Sequence, residues 1–83
     1  MAGQEFTFQD LKDILVNRLG MAEDEVGEDT TATFEGLGLD SLAFLELQLE
    51  IDQRYGFEVA DEDSERIKTL QDAIDYMNTQ LAK

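Results

Sequence analysis

Leu39-Asp40-Ser41-Leu42-Ala43-Phe44-Leu45-Glu46-Leu47-Gln48-Leu49-Glu50-Ile51-Asp52-Gln53-Arg54-Tyr55-Gly56 carries both the start and the stop of one helix. Asp40 is the N-cap candidate and Gly56 the residue that ends the run. A glycine-rich loop, Glu35-Gly36-Leu37-Gly38, leads into it. Ser41 therefore falls where a loop becomes a helix. A hydroxyl there is exposed, lies beside the positive end of the helix dipole, and has free amides close by that favour an attached phosphate. The chain has no His and no Cys, so no imidazole activates Ser41 and no thiol works beside it. The pattern points to a serine modified by another enzyme, not to a catalytic nucleophile, and no set of base, nucleophile and orienting group can be assembled elsewhere.

Composition narrows the rest. Eighty-three residues make one small domain, 1–83, which buries only about 60% of the surface its unfolded form exposes. That leaves no room for a deep active site with supporting shells. A hydrophobic content of 42% is enough for a folded core. Without cysteine there is no disulfide framework, and no metal site is expected. Twenty acidic against six basic side chains give a net charge of −14. Nucleic acid and anionic membranes repel such a chain, while basic patches attract it. Charge interrupts every apolar stretch, so no transmembrane span is expected. Met1-Ala2-Gly3-Gln4-Glu5 has neither a basic region nor an apolar run, so no signal peptide is expected either, and a cytoplasmic monomer is the expectation.

Two more helices flank the central one. Thr7 with Asp10 reads as a capping box, followed by Phe8, Leu11, Leu15 and Leu19 at helical spacing, with Ile14 at the stripe's edge and Gly20 as the stop. Thr69 with Asp72 reads as another, before Leu70, Ala73, Ile74, Met77 and Leu81. Residues 61 to 66 suit one or two helical turns. Residues 21 to 40 form a long connection, with Val26, Phe34, Leu37 and Leu39 as anchors and the acids Glu23, Asp24, Glu25, Glu28 and Asp29 as a solvated face. The expected fold is all-α, a small bundle of three main helices plus one short helix, with a long loop between the first and second.

The central helix carries two apolar stripes. At about 100° per residue, Phe44, Leu47, Ile51 and Tyr55 share one side and Leu42, Leu45 and Leu49 lie nearly opposite. The first group is assigned to the core. The second, rimmed by carboxylates, reads as a docking surface, with Asp40, Glu46, Glu50 and Asp52 steering basic partners.

These residues resemble a family. Gly38-Leu39-Asp40-Ser41-Leu42, then Leu45-Glu46-Leu47, Tyr55-Gly56-Phe57, Asp61-Glu62-Asp63-Ser64-Glu65-Arg66-Ile67 and Thr69-Leu70-Gln71-Asp72-Ala73-Ile74-Asp75-Tyr76 are similar to the acyl carrier proteins over nearly the whole chain. The resemblance implies covalent 4′-phosphopantetheine on Ser41, with Asp40 assisting recognition by the phosphopantetheinyl transferase. The arm supplies the thiol the chain lacks, and acyl groups ride on it as thioesters. It also implies cargo held among the helices, with Phe34, Leu47, Ile51, Val59, Ile67 and Ile74 as wall candidates and the 61–66 segment moving to admit it. A ketosynthase, an acyltransferase, a ketoreductase and related synthase enzymes are the implied partners. Ala43 stands where many fatty-acid carriers have a second acid, and Ala60 where they often have proline. Ser41-Leu42-Ala43, Arg54-Tyr55-Gly56 and the longer N-terminal lead look more like stand-alone carriers of bacterial aromatic polyketide synthases. A fatty-acid or aminoacyl carrier would use the same serine. Outside the family stand an acidic helical adaptor and a calcium-binding protein using Asp61, Asp63, Glu65 and Asp72. The second has Arg66 where a calcium loop needs glycine.

Overall fold

Three capped helices frame the chain in the computed structural model, which describes residues 5–82. Met1-Ala2-Gly3-Gln4, on which the signal-peptide expectation rests, lie outside the described residues. Helix α1 spans Phe8–Asn17. Thr7 Oγ1 accepts from the Asp10 amide, and Asp10 Oδ2 accepts from the Thr7 amide, which is the reciprocal box read from the sequence. The helix stops short of Leu19: Arg18 caps it, and Gly20, at φ +76°, turns the chain away. Ile14 is not at the edge of the stripe but fully buried with Leu11 and Leu15. The reason is tertiary, because three other helices pack against α1.

The connection after α1 holds a short helix that the sequence reading placed in a loop. Helix α2, Glu23–Val26, puts Glu23, Asp24 and Glu25 at a helix N-terminus, where the dipole favours acids, and buries Val26. The central helix, α3, runs Ser41–Tyr55 and ends at Gly56, at φ +81°. A second short helix, α4, covers Asp61–Ser64, and α5 runs Leu70–Leu81 behind its Thr69–Asp72 box. The all-α expectation holds, with two short helices in place of one.

The long loop is tied down by α5. The Leu70 amide donates to Ala32 O at 3.0 Å, the Gln71 amide to Thr30 O at 2.8 Å, and the Phe34 amide to Lys68 O at 3.0 Å. Loop carbonyls thereby satisfy two first-turn amides of α5 that have no intrahelical acceptor. A lone antiparallel bridge, Thr33 to Thr69, marks the crossing. Phe34 is pinned into the core as a result, with Leu37 and Leu39 half-buried beside it.

The chain entering α1 is held at its other end. Phe6 is buried before the N-cap, edge-on to Tyr55 with ring centroids 5.6 Å apart. Asn78 on α5 clasps its backbone: Oδ1 accepts from the Phe6 amide at 2.7 Å and Nδ2 donates to the Phe6 carbonyl at 2.9 Å.

Glu50 corrects the expectation of a rim charge, because it is 7% exposed. Its Oε1 accepts from Arg18 Nε at 2.8 Å and its Oε2 from Arg54 Nε, which ties α3 to the end of α1. The hydrogen bond from Arg54 holds the Glu50 carboxyl below its ordinary value of 4.5, helped by the charges of both arginines and opposed by desolvation. Arg18 is more than half exposed, so water shares the interaction. Glu50→Gln should therefore lower stability at neutral pH by about 1–2 kcal/mol. A depressed folded pKa contributes stability that is fully present above the unfolded value and lost as pH falls through the folded one. The gap between wild type and Glu50→Gln should thus be widest near neutrality and close below pH 4.5. Urea unfolding of both proteins across that range checks this, and a gap independent of pH would assign the effect to packing.

Candidate functional site

Ser41 is the first residue of α3 and is exposed. Asp40 caps the helix, its Oδ1 accepting from the Ala43 amide at 2.9 Å and its carbonyl from the Phe44 amide at 3.0 Å. A cap of this kind contributes about 1 kcal/mol. The amides of Ser41 and Leu42 have no intrahelical acceptor and remain available to an anion at the hydroxyl.

The loop sets where that hydroxyl stands. Gly38 has φ +87°, a conformation that suits glycine. The Gly36 amide donates to Thr33 Oγ1 at 2.8 Å, and a Cβ on Gly36 would meet that oxygen at the same distance. The Leu39 amide donates to Phe34 O at 3.0 Å. Position thus passes from α5 through Lys68 to Phe34, and from Phe34 through Leu39 to Ser41.

An open cleft of about 330 Å³ lies at Ser41, walled by the 33–41 loop on one side and by Ser64, Ile67 and Lys68 on the other. Deeper in, Leu47, Ile51, Val59 and Ile67 line an apolar cavity of about 10 Å³, room for about one water. Phe44 and Ile67 belong to both walls. Four of the six predicted wall residues therefore meet at the cavity. Phe34 faces the outer cleft instead, its ring 5.4 Å from Phe44. Ile74 is buried in the core and lines neither space. Phe44 was not among the predicted wall residues. Its place on the Leu47–Ile51 stripe was the signal that could have found it.

The second stripe of α3 faces outward. Leu42, Leu45 and Leu49 are 64%, 49% and 53% exposed. Glu46 is exposed beside them and Asp52 half-buried, while Glu50 is turned toward α1.

In the calcium alternative Asp72 is the twelfth ligand, and one of its oxygens is already taken. Asp72 Oδ2 accepts from the Lys68 and Thr69 amides, both at 3.1 Å, and those bonds hold its carboxyl below the ordinary range. Among the described residues no group of three or more acidic side chains is placed to hold a metal ion, and no helix is long and apolar enough to cross a membrane.

Comparison with known proteins settles the lineage. The profile of a family described as the phosphopantetheine attachment site matches residues 9–77. The chain belongs to that family. Among solved structures, octanoyl ACP from the actinorhodin polyketide synthase in Streptomyces coelicolor is 31% identical, with a TM-score of 0.84 over 98% of this chain and 96% of that one. The same synthase's 3,5-dioxohexyl ACP, a triketide mimic, is 30% identical at a TM-score of 0.80, with the same coverage. The oxytetracycline acyl carrier protein is 30% identical at a TM-score of 0.78, over 94% of this chain and 84% of that one. The fold of this phosphopantetheine-attachment protein is that of an acyl carrier protein, and its structural neighbours are polyketide carriers.

Proposed function

We propose that the chain carries acyl or polyketide intermediates for the synthase enzymes of an aromatic polyketide pathway, with 4′-phosphopantetheine attached to Ser41. The observation that carries this reading is the exposed Ser41 hydroxyl at the first turn of α3, at the mouth of a cleft that continues toward an apolar cavity. The residues fit the group: an exposed oxygen to esterify, two helix amides for its phosphate, and an open cleft for the arm. When attached, the arm supplies the thiol on which acyl groups are carried as thioesters.

The chain's own residues do the rest. Asp40 fixes the helix start and presents a carboxylate to the transferase. Phe44 and Ile67 stand between cleft and cavity, where α4 borders the space a chain would enter. The 10 Å³ cavity must widen before it takes more than a water-sized group. Chemistry lies with the partners, and residues 1–83 act as one attachment domain, a cytoplasmic monomer kept apart from its copies by its charge. Intact mass after incubation with coenzyme A and a broad-specificity phosphopantetheinyl transferase tests the reading. A single phosphopantetheine adduct is expected, and an unmodified protein across several transferases would overturn it.

Leu42, Leu45 and Leu49 supply the contact surface for a ketosynthase, an acyltransferase or a ketoreductase, with Glu46 and Asp52 steering their basic patches. Glu46→Lys should slow association with a ketosynthase by about tenfold at low salt, and the difference should shrink as salt rises. Association rates unmoved by both charge reversal and salt would remove the steering role.

A further inference from the structure

Among the described residues Lys68 is the one cation in the wall of the Ser41 cleft; the other charges there are Glu35 and Asp40. It sits in the turn between α4 and α5, and its backbone is held on both sides: the amide donates to Asp72 Oδ2 at 3.1 Å and the carbonyl accepts from Phe34 at 3.0 Å. The side chain is exposed. Arg18 and Arg54 are engaged by Glu50 and Asp13, whereas among the described residues no carboxylate lies within 4.0 Å of the Lys68 ammonium. In a chain with twenty acids and six bases, an unpaired cation beside the modified serine is the exception to the local charge pattern.

We infer that Lys68 is a positioning residue for the phosphodiester at the root of the arm. This rests on the assignment of the arm to Ser41. A phosphodiester on Ser41 Oγ carries one negative charge and turns about the serine side-chain bonds. Toward Glu35 and Asp40 that charge meets like charge; toward Lys68 it meets its opposite. The attraction grows in a partly enclosed cleft and weakens with salt. The arm is thus drawn across the cleft, over Phe44 and Ile67, the two side chains shared with the inner cavity. Lys68 aims the arm at the cavity mouth instead of leaving it to sweep freely.

Phosphorus-31 NMR of the loaded proteins tests this. The wild-type resonance should differ from that of Lys68→Gln and move toward it as salt rises to about 1 M, where the Debye length is about 3 Å. Lys68→Arg should keep the wild-type position, and Arg66→Gln, an exposed residue outside the cleft wall, should leave it unchanged. Matching circular dichroism of the unloaded proteins checks the fold, since the contacts of Lys68 described above are backbone ones. Identical phosphorus resonances and salt responses in wild type and Lys68→Gln would overturn the inference. So would slower loading of Lys68→Gln with an unmoved resonance, which would assign Lys68 to the transferase. Intact mass is read first: if no protein gains phosphorus, it is the Ser41 assignment that has failed.

Discussion

Ser41→Ala, incubated with coenzyme A and a phosphopantetheinyl transferase, should emerge with its mass unchanged while wild type gains one arm. The effect is all or none, because the transferred phosphorus needs an oxygen and the other hydroxyls of the described residues are hydrogen-bonded or half-buried. The Ser64 hydroxyl donates to Asp61 O. Thr7, Thr33 and Thr69 accept backbone amides, and Thr79 donates to Asp75 O. Tyr55 and Tyr76 are half-buried, and their hydroxyls resist ionisation mainly because burial disfavours the charged form. The fold should survive: alanine is a good helix former, Asp40 still caps α3, and an exposed substitution of this kind changes stability by about 0.5 kcal/mol or less. Circular dichroism and intact mass on the same sample separate lost chemistry from lost structure. An adduct on Ser41→Ala would move the attachment point to another hydroxyl.

Leu70→Ala should give the largest loss of stability. Leu70 is fully buried at the start of α5, and its amide holds the Ala32 carbonyl. Removing its side chain leaves a cavity in the core where the long loop meets the start of α5, at a cost of about 2–5 kcal/mol. A domain of 83 residues has about 4–12 kcal/mol of stability in total. The melting temperature should fall by about 10–30 °C. Leu45→Ala, on the outward stripe, should change it by no more than a few degrees. Thermal melts of the pair test whether the outward stripe of α3 is surface. Equal losses would mean that Leu45 is as much core as Leu70.

Much of this architecture is legible in the sequence because its signals are local. Thr7 with Asp10, Thr69 with Asp72, and Asp40 ahead of Ser41 each settle a helix start within four residues. Gly56 marks an end by its left-handed backbone. The two stripes of α3 separate on spacing alone. What escaped has partners far along the chain or too few residues for a period. Helix α2 has four residues and one apolar side chain, so no repeat announces it. Glu50 sits between the stripes on a helical wheel, where rim and interior are equally available; Arg18, 32 positions away, decides for the interior. Ile74 shares a period with cavity residues but packs into the core. Lys68 joins the Ser41 cleft only because the loop at 30–34 crosses the start of α5.

The Asn78 clasp makes the entry to the first helix depend on a single side-chain amide. Both backbone groups of Phe6 depend on one side-chain amide, whose nitrogen gives and whose oxygen takes. Deamidation to aspartate would put a second acceptor where the donor stood, facing the Phe6 carbonyl with like polarity. One atom's exchange, with no enzyme and no change in the genetic message, would loosen the entry to the first helix while leaving the Ser41 hydroxyl untouched.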